Sequence, residues 1–84
     1  MAHDPSTLLD ALISMVGDIE SRPVDASTDL IASGFDSLAS LELCTRIEDE
    51  LMVPCTLDDV FEARTLTDLA AVLAARSQGT ALLP

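Results

Sequence analysis

The sequence predicts an all-α protein, a small four-helix bundle of three longer helices and a short third one, with a long loop between helices 1 and 2. Three observations predict it. Apolar residues recur at one-face helical spacing in several separate runs. Helix-start residues, Asp4, Asp36, Thr56 and Thr65, stand just before those runs. No segment carries a strand signal, a repeat or low complexity, and 84 residues suffice for one core without a separate catalytic domain.

Each element follows from local chemistry. Asp4 suits an N-cap and Pro5 the first helical position, and Leu8, Leu9, Leu12, Ile13, Val16 and Ile19 share a face, so helix 1 is expected over about 5–19. Glu20-Ser21-Arg22-Pro23 breaks it. Periodicity then lapses until Asp36, apart from a single turn expected around Asp29 to Ala32. A connection that long in so small a domain is usually functional or disordered. Asp36 caps a second helix over about 37–51, which Val53-Pro54 ends. Thr56 with Asp59 resembles a capping pair for a short helix over 57–62, in which Leu57, Val60 and Phe61 share a face. Thr65 with Asp68 repeats the device for a fourth over 66–76, where Leu66, Leu69, Ala70 and Leu73 align until Arg76 and Gly79 end it. The tail, 77–84, is expected to be loose.

Composition narrows the function. Apolar residues form 49% of the chain, yet only Phe35 and Phe61 are aromatic, so the core is aliphatic and soft. Fifteen acidic residues face four arginines and no lysine, giving a formal net charge of −11. Nucleic acid is disfavoured as a partner on that balance, because phosphate neutralisation needs clustered cations, and so is an anionic membrane surface. A protein with a basic docking surface is favoured instead. Cys44 and Cys55 lack the spacing of a zinc site or a redox motif and read as two reduced, partly buried thiols. No apolar run reaches transmembrane length and the N-terminus lacks signal-peptide character, so a cytoplasmic protein without metal is expected.

Projected at about 100° per residue, helix 2 separates into two faces. Leu43, Cys44, Ile47 and Leu51 form the expected buried stripe. Leu38, Leu41, Glu42, Thr45, Glu48 and Asp49 lie opposite, and leucines exposed among carboxylates suit a partner site. The alternative is that Leu38 and Leu41 tuck under the preceding loop while the acids are only a wet face.

Ser37 lies at the start of this helix. A nucleophilic serine needs a base within hydrogen-bond reach, and the chain offers only His3, in an N-terminus expected to fray, and no lysine. Self-contained nucleophilic catalysis is therefore disfavoured. A hydroxyl at a helix start, beside unsatisfied N–H groups and the positive dipole end, suits a phosphoryl-linked group instead. Ser37 reads as an acceptor.

Residues 29–38, D-L-I-A-S-G-F-D-S-L, followed by the helix A-S-L-E-L-C-T-R-I-E-D-E-L, resemble the acyl carrier proteins and the related peptidyl carrier domains. The resemblance spans helix 1 to helix 4, including the long loop and the short third helix. It implies a single carrier domain over 1–84 without turnover of its own, in which a phosphopantetheinyl transferase uses coenzyme A and magnesium to join 4′-phosphopantetheine to Ser37. The terminal thiol of that arm would hold an acyl or aminoacyl group as a thioester. It also implies that Asp36, Leu38, Leu41, Glu42, Glu48 and Asp49 form the recognition surface. The implied partners are the transferase and an acyltransferase, ketosynthase or adenylating loading enzyme. Phe35 either packs the loop onto the bundle or borders the arm.

Asp-Ser-Leu and the acidity resemble the fatty-acid and polyketide carriers. Phe35 stands where peptidyl carriers more often have a second glycine, although free-standing aminoacyl carriers can share this pattern. Two other readings stand beside these. The chain could be a non-enzymatic acidic helical adaptor with Ser37 only a cap. Its soft core could part to shelter an apolar cargo, or stay closed with the arm in solvent. A calcium module is disfavoured, since no loop has the required alternation of acids around a glycine. Met1 and the short tail are consistent with a stand-alone monomer, as they would be with an excised domain.

Overall fold

The computed structural model describes residues 4–82, with side chains described as far as Ser77. His3 and the last two residues of the expected tail lie outside the described residues. Four helices follow one another: α1 (Pro5–Glu20), α2 (Ser37–Arg46, continued by a π-helical turn over Ile47–Leu51), α3 (Leu57–Ala63) and α4 (Leu66–Leu82). Among the described residues no strand forms; Asp29 and Thr65 make one isolated antiparallel bridge.

The caps act as the sequence predicts. Asp4 Oδ2 accepts from the amides of Ser6 and Thr7 at 3.1 and 3.4 Å, with Pro5 in the first turn. At the other end of α1, Ser21 takes a left-handed conformation, φ 57°, and its N–H returns to the Gly17 carbonyl. Thr56 and Asp59 form the full capping box of α3. Thr65 Oγ1 accepts from the Asp68 amide at 3.2 Å at the start of α4.

The buried stripes bring these helices together. Leu8, Leu12 and Val16 of α1 meet Leu66, Leu69 and Leu73 of α4 and Leu43 and Ile47 of the α2 segment in one aliphatic core. The short α3 packs on both α2 and α4, burying Val60 and Ala63. Phe61, expected beside Val60, is instead 37% exposed. A seven-residue helix has a single inward stripe, and the position after Val60 is turned about 100° away from it.

Two further departures concern helix ends. Regular α-geometry in helix 2 stops at Arg46, and the π turn carries Ile47 and Leu51, both buried, to Met52, which is left-handed at φ 60°. The fourth helix does not end at Arg76 but continues through Gly79 to Leu82, so the backbone of 77–82 is helical rather than loose. One glycine inside a helix costs about 1 kcal/mol against alanine, too little to stop a run rich in good helix formers.

The long α1–α2 loop is tied down rather than disordered. Its expected single turn forms, with Asp29 Oδ1 accepting from Ala32 N–H at 3.0 Å and the Asp29 carbonyl from Ser33 N–H. Leu30 is buried and donates its amide to the Arg64 carbonyl at 2.8 Å, while Thr67 donates both its amide and its hydroxyl to the Ala26 carbonyl. Arg22 Nη2 donates to the Ser33 carbonyl at 3.0 Å. The loop therefore rests on the α3–α4 connection, where Arg64 itself sits in a γ-turn with φ 66°, ψ −52° and the Thr65 amide bonded to the Ala63 carbonyl. This is a strained backbone for a residue with a side chain.

Arg76 of α4 holds the start of α3. It donates to both carboxylate oxygens of Asp59 and to the Pro54 carbonyl at 3.0 Å. The guanidinium hydrogen bonds depress the Asp59 carboxyl to about 2. That value lies below the unfolded reference, so the unfolded chain binds more protons as the pH drops; the stability lent by Asp59 is complete above about pH 4 and is lost as the pH falls through about 2. The full shift would amount to about 2.5 kcal/mol. Because the Arg76 side chain is 34% exposed, water screens the pair and about 1–2 kcal/mol remains. Asp59→Asn is therefore expected to lose about 1–2 kcal/mol at pH 7. Its deficit against wild type should narrow between pH 4 and 2, and urea titrations of both proteins across that range measure it; a deficit independent of pH would contradict the ion pair.

Ser40 gives a second expectation. Its side chain is wholly buried on α2, and its Oγ has no hydrogen-bond partner. An unsatisfied buried hydroxyl costs about 1–3 kcal/mol. Ser40→Ala is expected to raise the unfolding free energy by about 1 kcal/mol in the same titration; a loss of stability would show that the hydroxyl is satisfied.

Candidate functional site

The site begins at Gly34, where the chain turns from loop to helix. Gly34 has φ +89°, a conformation that side chains disfavour, although an added Cβ would meet no atom within 4 Å. The requirement is thus for backbone freedom and not for space. Phe35 follows, 5% exposed, its amide donating to the Leu30 carbonyl at 3.0 Å. Of its two expected fates the ring takes the first: it packs the loop onto the core.

Asp36 then caps α2. Its backbone is extended, its Oδ1 accepts from the Ala39 amide at 2.8 Å, and its carbonyl accepts from the Ser40 amide at 2.9 Å. Ser37 is the first residue of the helix and is exposed. The next amide beyond it, that of Leu38, also belongs to the first turn, where N–H groups have no intrahelical acceptor and the helix dipole is positive. An exposed hydroxyl at such a point fits a phosphate-linked group in both reach and field.

The surface leading away from Ser37 is the one expected. Leu38 is 76% exposed and Leu41 52%, so neither is tucked under the loop. Glu42, Thr45, Glu48 and Asp49 are exposed along the same helix. Behind them Leu43, Cys44, Ile47 and Leu51 are buried, which fixes the rotation of the helix.

Periodicity did not reveal two further exposed apolar residues. Ile31 is 55% exposed in the loop turn before α2, and Met52 is 81% exposed just past the π turn that ends it. Both lie outside the helical pattern that located Leu38 and Leu41. Glu48 is tied inward: its Oε2 accepts from the Cys55 amide at 3.4 Å, so it braces the α2–α3 connection as well as contributing charge.

The described residues include no histidine or lysine to serve Ser37 as a base, and the adjacent Asp36 carboxylate is engaged as the helix cap. Among the described residues no cluster of three metal-ligating side chains occurs, and no described helix is long and apolar enough to cross a membrane.

Comparison with known proteins agrees with this geometry. The family described as the phosphopantetheine attachment site matches residues 8–73, which run from the first buried leucine of α1 to the last buried leucine of α4. A solved structure with TM-score 0.79 and 18% identity covers 84% of this chain and 87% of its own: BlmI, a type-II acyl carrier protein from Streptomyces verticillus involved in bleomycin biosynthesis. At that identity the likeness is one of fold. A nonribosomal peptide synthetase, criC of Aspergillus cristatus, is 27% identical over 77 residues, 92% of this chain but only 4% of the synthetase. The chain thus spans a small fraction of that relative. A helical bundle with an exposed serine opening its second helix, matched over most of its length, belongs to the phosphopantetheine-attachment family: it is a carrier protein, and its prosthetic group is covalently attached 4′-phosphopantetheine.

Proposed function

We propose that Ser37 is the attachment point and that the chain is a discrete cytoplasmic acyl carrier of the polyketide or fatty-acid type, without turnover of its own. One observation carries the reading: the Ser37 hydroxyl is exposed at the first residue of α2, directly after the capping Asp36, with no histidine or lysine among the described residues to make it an attacker. A separate transferase must then take the hydroxyl proton as the serine oxygen bonds to the phosphopantetheinyl phosphorus, the pyrophosphate P–O bond of coenzyme A breaks, and adenosine 3′,5′-bisphosphate leaves. Magnesium brought with the nucleotide would offset the repulsion between the Asp36 carboxylate and the arriving phosphate. The arm supplies a thiol that holds cargo as a thioester. The chain's residues supply the anchor and the address.

The address is the exposed side of α2. Leu38 and Leu41 offer apolar contact, and Glu42, Glu48 and Asp49 with Asp36 offer negative charge to a basic partner, be it the transferase, an acyltransferase or a ketosynthase. The similar structure, BlmI, is a type-II acyl carrier protein, which supports the discrete-carrier reading. An aminoacyl or peptidyl carrier is the second reading, favoured by the similarity to a nonribosomal peptide synthetase. The two separate by which enzyme charges the holo protein, an acyltransferase or an adenylating enzyme.

Incubation of the apo protein with a promiscuous phosphopantetheinyl transferase, coenzyme A and magnesium should add one phosphopantetheinyl group to wild type and none to Ser37→Ala, as read by intact mass. No gain on wild type, or an equal gain on Ser37→Ala, rejects the assignment. Charge reversal at Glu42 and Asp49 tests the address without touching the Glu48 brace. Each reversal should slow modification about 3- to 10-fold at low ionic strength, and less in high salt, at unchanged helical circular dichroism. A rate equal to wild type would place docking elsewhere.

A further inference from the structure

Cys44 and Cys55 lie eleven positions apart in the sequence, yet their sulfurs are 3.6 Å apart inside the core. Cys44 belongs to the buried stripe of α2, directly behind the exposed face. Cys55 is the residue before Thr56, the cap of α3. Each is 5% exposed. The segment that carries Cys55 is already drawn toward its neighbours, since its amide donates to Glu48 Oε2 and the preceding Pro54 carbonyl accepts from Arg76. Two reduced thiols in contact between two elements have no part in attaching or presenting cargo, and packing alone requires no sulfur.

We propose that Cys44 and Cys55 are a modification site, a buried dithiol that hydrogen peroxide oxidises to an intramolecular disulfide joining α2 to the start of α3. A bonded pair of sulfurs is about 2.05 Å apart, so closure requires an approach of roughly 1.5 Å from the observed separation. Side-chain rotation with a small shift of the α2–α3 connection can supply it. The reaction balances without another reagent. The Cys44 thiolate attacks one peroxide oxygen, the O–O bond breaks, and the departing hydroxide takes up the proton that Cys44 released, giving a sulfenic acid and one water. The Cys55 sulfur then attacks the sulfenic sulfur, the S–O bond breaks, and hydroxide leaves with the Cys55 proton as a second water. Two thiols lose two electrons in all, and the peroxide gains them.

The step balances equally with Cys55 as the first attacker. Burial raises both thiols, and Glu48 and Asp59 oppose a thiolate at Cys44; but the neighbouring Cys55 S–H can hydrogen-bond a Cys44 thiolate, which partly offsets that cost. The Cys55 thiol is likewise pushed up, by burial and then by Cys44 itself. The same burial makes the reaction slow and selective for a small oxidant, since a bulky disulfide reagent cannot reach either sulfur in the closed protein.

The test uses the full apo chain, which contains these two cysteines and no arm thiol. After treatment with hydrogen peroxide the protein is unfolded in guanidinium and exposed to N-ethylmaleimide. The expected result is a monomer with no maleimide adduct, and two adducts after prior reduction. Peptide mapping should show residues 44 and 55 linked, and it separates any oxygen gained by the exposed Met52. The oxidised protein should melt roughly 10 °C higher than the reduced one, an increment that dithiothreitol removes. The amides of α3 should exchange at least about tenfold more slowly. Cys44→Ser and Cys55→Ser should show neither effect. Two adducts surviving a treatment that fully oxidises the unfolded chain would overturn the proposal. So would sulfinic acid in place of the link, disulfide dimers, or a linked protein whose α3 amides exchange as before.

Discussion

The position of Ser37 depends on how three consecutive residues are anchored. Phe35 is held in the core, Asp36 is held at the helix terminus by its bond to the Ala39 amide, and Ser37 is left outside. The burial of one aromatic ring, on the order of 2–3 kcal/mol, sets the depth at which the chain enters α2. The cap, worth about 1 kcal/mol, sets where the helix begins. Both act through a loop that would otherwise be too long to define an endpoint, and that loop is secured by its own buried Leu30 and by hydrogen bonds to Arg64 and Thr67. An exposed hydroxyl in a fixed place therefore rests on interactions made on the far side of the backbone from it.

The same logic extends along α2. Because Leu43, Ile47 and Leu51 are buried, the rotation of the helix is fixed, and Leu38, Leu41, Glu42 and Asp49 have no alternative but to face water. Exposed leucines at 76% and 52% gain nothing in the isolated chain, and their apolar area is available to a partner. The π turn marks the end of this surface. It hands the chain to Met52, whose left-handed backbone directs the connection back across the core toward Cys55 and α3.

Much of this was legible in the sequence because it is written in short-range signals. The caps at Asp4, Asp36 and Thr56 and the stripes of α1, α2 and α4 need only residues three or four positions apart, and all of them form. The exposure of Leu38 and Leu41 followed from the same periodicity. What escaped prediction depends on contacts between distant segments: the loop resting on Arg64, Arg76 reaching Pro54 and Asp59, Glu48 bracing Cys55, and the two sulfurs meeting. Local patterns contain no term for those. Gly79 misled for a different reason. Its helix penalty is real, but a stop signal of about 1 kcal/mol can be outweighed by the run on either side.

The distribution of the arginines completes the electrostatic picture. The chain has four against fifteen acids, and each has a place in the fold rather than on the exposed side of α2. Arg22 is bonded to the loop at Ser33, Arg76 to Asp59 and Pro54, and Arg46, although it belongs to α2, turns toward Asp18 of α1 at 3.6 Å. Arg64 forms the strained turn on which Leu30 rests. Glu42 and Asp49 consequently have no described cation of their own chain beside them, and their field extends into solvent over roughly the 8–10 Å that physiological salt allows. In a protein with net charge −11, three of the four arginines are thus committed to structural bonds, and neutralisation of that surface is left to solvent ions or to whatever docks on it. On the proposed reading of α2 as the docking surface, a partner that brings its own arginines or lysines gains from the encounter, which would restrict the set of enzymes able to modify Ser37 before any shape complementarity is tested.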